Sequence, residues 1–324
     1  MDRRRFLLTS LAGAFTTPLA AWAQQAGKVF RIGFLQPAPS VPPGYLEAFR
    51  QGLRDHGHVE GQNIVIEHRI SSAPNEQPVL LTELVGQKVD LLVTWSTPAL
   101  VAAKKATSMI PIVGISGDPV QAGLVASLER PGGNLTGLAL LTDELEVKKL
   151  QLLKETAPSV THVAVLWNPD NPVWTSALKR LEEAAPPLSM KLQLLGARAS
   201  GELEAAFAAA TREKAGALLV VQDGAFSPDR QRIADFAAMN RLPAIYPNRP
   251  YVEAGGLMAH GVDFPDLLRR AAGYVDKILK GASPGNLSVE RATKFQLVIN
   301  MKTAKALGLT IPQSVLSRAN DVIQ

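Results

Sequence analysis

The constraint that most narrows the fold is an alternation: short apolar, β-rich runs succeed one another along the chain, separated by amphipathic helical patterns. The runs fall at 29–35 (VFRIGFL), 63–70 (NIVIEHRI), 89–95 (VDLLVTW), 111–116 (PIVGIS) and 135–142 (LTGLALLT). A second series follows at 161–167 (THVAVLW), 190–196 (MKLQLLG), 216–222 (GALLVVQ) and 243–247 (PAIYP). Several are apolar throughout, as expected of parallel strands covered on both faces. Between the first two runs, Leu46, Phe49 and Leu53 recur on one helical face while Glu47, Arg50 and Arg54 point elsewhere. Near 263–280, Leu267, Ala271, Tyr274 and Ile278 repeat at helical spacing, and Gly281 stands where a helix would end. Strand alternating with helix implies right-handed crossovers and a doubly wound α/β sheet.

The rhythm pauses after the fifth run, at an acidic helical stretch 143–155, and then restarts. A chain of 324 residues also exceeds one ordinary domain. The expected architecture is α/β, with two doubly wound, Rossmann-like lobes, a central cleft and a hinge near Leu141–Asp143. A further strand–helix–strand pattern at 256–300 implies that the chain crosses between lobes more than once. The expected partition is 28–141 plus about 258–290 for the N-terminal lobe, and 142–257 plus about 291–324 for the C-terminal lobe.

Residues 1–23 have the layout of an export signal. Arg3, Arg4, Arg5, Phe6 and Leu7 precede an apolar, uncharged run from Leu8 to Trp22, and Ala21-Trp22-Ala23 sets small residues before a cut at Gln24. The RRRFL core is of twin-arginine type, a route that carries folded proteins. The shortness of the run, with Gly13 and Pro18 inside it, argues against a retained membrane anchor. The chain has no cysteine, hence neither a disulfide nor a lipid-modified cysteine, and a soluble periplasmic monomer is expected. The net charge of +5 becomes +3 without residues 1–23, which carry three Arg and one Asp. What remains is scattered, which makes nucleic acid a poor partner.

In a doubly wound sheet, ligands bind beyond the carboxyl ends of the strands. The residues placed there are Gln36; Trp95, Ser96 and Thr97; Ser116, Gly117 and Asp118; Trp167, Asn168 and Asn171; Asp223; and Tyr246. Short polar residues at such points also cap the following helix. Together they offer hydroxyls and free backbone N–H groups suited to a carboxylate, with Asp118 and Asp223 available for an ammonium. Trp95, Trp167 and Trp174, all the tryptophans after the export signal, lie in these loops, where indole faces commonly line small-molecule pockets. Enzyme signatures are missing. GISGDP (114–119) breaks the nucleophile-elbow pattern at Asp118, and GGNLTG (132–137) is followed by Leu138 where a phosphate-binding loop needs Lys. No dinucleotide motif follows the first strand, and His56 and His58 lack a metal-ligand set. No cofactor is expected.

Longer segments carry a resemblance. FRQGLRDHGHVEGQNIVIE (49–67), IPIVGISGDPVQAGLVASLERPGGNLTGL (110–138), VAVLWNPDNP (163–172), LPAIYPNRPYVEAGGLMAHG (242–261), YVDKILKGASPGNLSVERATKFQLVINMKTAKALGLTIP (274–312) and SRANDVI (317–323) are similar to the ABC-transporter substrate-binding family that includes tryptophan- and tyrosine-binding members. The resemblance spans 29–323. It implies a type I periplasmic-binding-protein fold without catalytic residues, delivering a small solute to an inner-membrane permease. It also implies that an amino-acid carboxylate is held by Ser96, Thr97, Ser116 and Gly117, and its ammonium by Asp223. Asn168 and Asn171 occupy the family's N-P-x-N-P segment, and Trp95 stands where a small residue is expected. An exported α/β enzyme and a sensor presenting its ligand to a membrane receptor are the alternatives.

Overall fold

The computed structural model describes residues 28–324, except 39, 40, 43 and 141. The export signal and Leu141 of the expected hinge therefore lie outside the described residues. The chain opens with β1 (Phe30–Gln36), α1 (Gly44–Asp55), β2 (Ile64–Ile70), α2 (Gln77–Gly86), β3 (Leu91–Trp95), α3 (Thr97–Ala106), β4 (Ile112–Ser116) and β5 (Leu135–Ala139). It continues through α4 (Thr142–Thr156), β6 (His162–Trp167), α5 (Trp174–Ala184), β7 (Lys191–Gly196), α6 (Leu203–Arg212) and β8 (Ala217–Val220). Next come α7 (Arg230–Met239), β9 (Ala244–Tyr246), α8 (Arg249–Glu253) and β10 (Met258–Val262). It ends with α9 (Phe264–Leu279), β11 (Glu290–Arg291), β12 (Phe295–Asn300), α10 (Met301–Leu307), α11 (Gln313–Leu316) and β13 (Asp321–Ile323).

These elements form two sheets, ordered β11-β5-β4-β3-β1-β2 and β13-β12-β10-β9-β8-β6-β7. The first is parallel throughout, and the second is parallel except where β10 meets β12. The apolar runs become strands because both faces are covered: every residue of β3, β4, β5, β8 and β9 is buried. Edge strand β7 instead alternates buried and exposed positions, as a strand with one open side should.

Three crossings join the lobes, at β5 to α4, at β10 to α9 and at β11 to β12. The apolar start of β10 pairs with β9 and β12, so the crossing expected near 258 falls after Val262, because Met258 and Ala259 complete the second sheet. The crossing expected near 291 falls between Arg291 and Phe295. The backbone N–H of Asp263 donates to the carbonyl of Lys294 at 2.9 Å, tying two crossings together. Helix α9 then returns to the first lobe and packs on α1. It closes in a Schellman turn, with Gly281 (φ +98°) and Ala282 donating to the carbonyls of Ile278 and Lys277.

The α1–α9 contact is close because Gly52 has no side chain. A Cβ there would sit 2.6 Å from the Arg269 carbonyl oxygen and 2.8 Å from the Ala272 Cβ. The Gly52→Val variant should therefore lose about 1–3 kcal/mol by overpacking. Gly44→Ala, with open space around the added carbon, should be neutral or slightly stabilising. Denaturant unfolding of both variants checks this, and equal midpoints would show that the helices can part without cost.

Candidate functional site

The carboxyl ends of both sheets face one another across the cleft. On the first lobe, α3 begins at the end of β3, and Ser96 caps it with its hydroxyl accepting weakly from the Ala99 N–H at 3.4 Å. Ser96 adopts φ +73° and ψ 143°, a backbone region that costs a residue with a side chain on the order of 1–3 kcal/mol and clusters at functional sites. Thr97 and Ser116 are each only 2% exposed. Among the described residues, neither hydroxyl has a hydrogen-bond partner. The expected site residues Trp167 and Tyr246 likewise keep an indole nitrogen and a hydroxyl without a partner among the described residues.

Other expected residues are engaged locally. Gln36 donates its amide N–H to the Ala38 carbonyl at 2.8 Å. Asp118 accepts the Val120 and Gln121 N–H groups through one oxygen, each at 3.0 Å, and shapes a turn. That turn corrects the expectation of a second helix N-terminus beside Ser116 and Gly117. The segment from Gly117 to Asn134 contains no α-helix, since Gly123 and Gly132 take positive φ and Pro131 adjoins the latter.

The aromatic expectations are largely corrected. Trp95 is 8% exposed, its ring packed edge-on against Phe34 at 5.6 Å and Phe264 at 5.8 Å. It closes the first-lobe core instead of offering a free face. Tyr246 is fully buried and stacked on Tyr251, centroids 5.2 Å apart; burial raises its phenol well above the usual range. Trp174 is buried in the second-lobe core. Trp167 is half-buried, with its indole nitrogen enclosed and unpartnered.

Asp223 also departs from expectation. One oxygen accepts from Asn168 Nδ2 at 3.1 Å and the Ala225 N–H at 3.0 Å. The other accepts from Asn171 Nδ2 at 2.8 Å and Trp174 Nε1 at 3.0 Å. Asn168 and Asn171 in turn accept the N–H groups of Asp170 and Val173. The N-P-D-N-P loop is thus clasped to the end of β8 by a carboxylate whose roughly four acceptor positions are filled.

The two lobes touch. A Cβ on Gly117 would lie 2.4 Å from Val173 Cγ2 and 2.6 Å from Thr142 Oγ1, so only glycine permits this approach. The Ser176 hydroxyl bonds Gln121 Oε1 at 2.6 Å and also Asp143. Burial, opposed by that bond and reinforced by Asp118, holds the Asp143 carboxyl above its ordinary range. A cavity of about 730 Å3 lies beside this contact, running along α4 and the end of α5 past Asp143, Lys148, Arg180 and Arg291. It adjoins Gly117 and Asp118 but is lined by none of Thr97, Ser116 or Asp223, so the chemistry of the strand ends, not cavity size, marks the site.

Reading the sequence missed a buried pair beneath the second-lobe strand ends. Lys149 lies 2.7 Å from Glu146 and donates to the Val220 carbonyl at 2.9 Å. Both side chains are buried, which pushes Lys149 down and Glu146 up from their ordinary values, each opposed by the other's charge. An acidic, lysine-bearing helix gives no sign of which charges turn inward. Thr142 and Val173, which meet Gly117, were missed as well.

Two doubly wound lobes joined by three crossings, with hydroxyl-bearing residues at the strand ends, are those of a solute-binding protein of type I periplasmic fold. The chain belongs to the ABC transporter substrate-binding protein family, whose model matches residues 44–323; the family is one of solute-binding proteins, not enzymes. A protein named tyrosine-binding protein from Clostridioides difficile (strain R20291) is 30% identical over 268 residues, covering 81% of this chain and 76% of that protein. An ABC domain from Streptococcus pneumonia, solved in complex with L-Trp, superposes with a TM-score of 0.82 at 25% identity, covering 91% of this chain and 99% of its own. A substrate-binding protein with adhesive properties from Clostridium difficile, solved ligand-free and open, gives 0.67 at 27% identity, covering 91% and 100%. Among the described residues, no helix is long and apolar enough to cross a membrane.

His260 on β10 provides a pH test of this lobe. Burial first, and then the Lys149 charge, push it from 6.5 down to about 4. A histidine with a depressed folded pKa stabilises the fold above its unfolded pKa, and that contribution is lost as pH falls from about 6.5 to about 4. The His260→Gln variant should therefore escape about 2–3 kcal/mol of the loss that the natural protein suffers between pH 7.5 and pH 4.5. Denaturant melts at both pH values measure it. Identical losses in the two proteins would mean that His260 does not stay neutral in the fold.

Proposed function

We propose that this protein is the periplasmic solute-binding component of an ABC importer. It is exported with cleavage near Ala23-Gln24, works as a monomer, and hands a small carboxylate-bearing solute, aromatic or amino-acid-like, to an inner-membrane permease. The observation that carries the solute class is the pair of hydroxyls of Thr97 and Ser116, on largely buried residues at adjacent strand ends and without a partner among the described residues. Thr97 opens helix α3, whose N-terminus favours an anion. The relatives named for tyrosine and solved with L-Trp support an aromatic carboxylate. The whole chain superposes better on the L-Trp complex than on the open, ligand-free relative, with TM-scores of 0.82 and 0.67, which supports closure around the solute. Gln36, Ser96, Gly117 and Asn168 shape the walls of the same cleft in this reading.

Calorimetry with L-tyrosine, L-tryptophan, benzoate-type acids, 2-hydroxy acids, L-leucine and sugars tests the solute class. A carboxylate-bearing aromatic should bind, and at ~1,000 times its dissociation constant it should add about 4 kcal/mol to stability. The double variant Thr97→Val/Ser116→Ala should weaken that binding by at least ~100-fold, since each hydrogen bond to a charged group contributes about 1.5–3 kcal/mol. Tight binding of a sugar alone would sink the reading. Export is tested separately by replacing Arg3, Arg4 and Arg5 with Lys. Periplasmic yield should collapse in cells with an intact twin-arginine pathway, and unchanged yield would refute that route.

A further inference from the structure

Most carboxylates at this end of the second lobe are engaged, although Glu144, which lines the neighbouring cavity, has no partner among the described residues. Asp223 accepts four hydrogen bonds from its own lobe. Glu146 pairs with Lys149, Asp170 with Arg198 and Asp229 with Arg232. Asp143, bonded to Ser176, opens onto the neighbouring cavity that Arg180 also lines. Among the described residues, Gln222 Oε1 and Asn248 Oδ1 are buried without a hydrogen-bond partner, as are Asp229 Oδ2 and the hydroxyls of Tyr246 and Tyr251.

Neither amide has a structural task that accounts for its burial. Asn248 stands at the N-cap position of α8 yet makes no capping bond, although capping is the usual reason for Asn there. Gln222 lies two residues past the end of β8, and Asn248 two residues past the end of β9. The β8–β9 register pairs Leu218 with Ala244 and Leu219 with Ile245, and the same offset of 26 residues relates Gln222 to Asn248 past the ends of these neighbouring strands. An unpaired buried polar atom is costly, and two of them just beyond adjacent strand ends call for an occupant that satisfies both.

We infer that Gln222 and Asn248, not Asp223, are the second lobe's polar contacts with the solute, and that they meet an uncharged hydrogen-bonding group such as a hydroxyl or carbonyl. The inference rests on the proposed binding function and names its solute as a 2-hydroxy or 2-oxo acid with an aromatic body. Thr97 and Ser116 hold the carboxylate, and the neighbouring oxygen faces the amides. An α-ammonium at that point would find in Asp223, the carboxylate next to Gln222, a group whose acceptor positions are already filled, which is unfavourable. Asp223 is a positioning residue that holds the N-P-D-N-P loop.

The test pairs isosteres: indole-3-lactate against L-tryptophan, and 4-hydroxyphenyllactate against L-tyrosine, by calorimetry on the full mature chain. The hydroxy acid should bind at least ~10-fold tighter in the pair that binds. The Gln222→Leu and Asn248→Ala variants should each weaken it about 10-fold, with ligand-free melting temperature held or raised. Asp223→Asn should instead lower the ligand-free melting temperature by about 3–8 °C. An amino acid bound more tightly than its hydroxy acid, and lost in Asp223→Asn at unchanged ligand-free melting, overturns the inference and leaves the binding function standing. If no carboxylate in either pair binds, the proposed function fails and the inference falls with it.

Discussion

The seating of α9 on α1 is the contact on which the rest of the arrangement depends. Helix α9 leaves the second sheet through β10 and completes the core of the first lobe, where Leu267, Leu268, Ala271 and Val275 pack with Phe49 and Leu53. Gly52 lets the two helices approach until a side chain would meet backbone. Because α9 is fixed there, the ends of β10 and β12 are held near the first lobe, and the Asp263–Lys294 bond keeps two crossings together. The facing strand ends are brought opposite one another as a result. The cleft is thus a product of core packing at a distance from it.

The two walls of that cleft differ in physical character. The first-lobe wall is strained and open for contact: Ser96 is held at positive φ, and Thr97 and Ser116 keep their hydroxyls free. The second-lobe wall is dense with internal bonds, since Asp223, Asn168, Asn171 and Trp174 satisfy one another. Such a network rigidifies a loop and holds it to one geometry. Val173 of the same loop sits against Gly117 of the first lobe, where a Cβ would lie 2.4 Å from its Cγ2.

Much of this was legible in the residues. Runs such as LLVTW and IVGIS announce strands because burial on both faces leaves no polar position, and the acidic stretch at 143–155 lies within the observed α4. The chain after Ser116 misled for a definite reason. Ser116 and Gly117 read as backbone donors leading into a capped helix, but Gly123, Pro131 and Gly132 favour turns, and no α-helix forms before β5. Trp95 and Trp167 were placed correctly at strand ends, yet position along a strand does not say what a ring packs against. Trp95 met Phe34 and Phe264, and Trp174 turned into the core. The saturation of Asp223 was invisible because its donors Asn168, Asn171 and Trp174 lie 55, 52 and 49 residues away. Pairing across such separations belongs to the fold, not to local spacing.

The return of α9 also sets an order of assembly. Asp55 of α1 and Arg269 of α9, bonded at 3.0 Å, are 214 residues apart, so a growing chain emerging from the ribosome holds an α1 whose apolar face has nothing to cover it until most of the protein has been made. The second lobe likewise waits for β12 and β13. Neither lobe can finish before the other has nearly been synthesised, and domain-by-domain folding from the N-terminus is closed to this topology. The exposed first-lobe strands of the nascent chain are therefore a natural point for chaperone engagement, and the two lobes mature together as one folding unit.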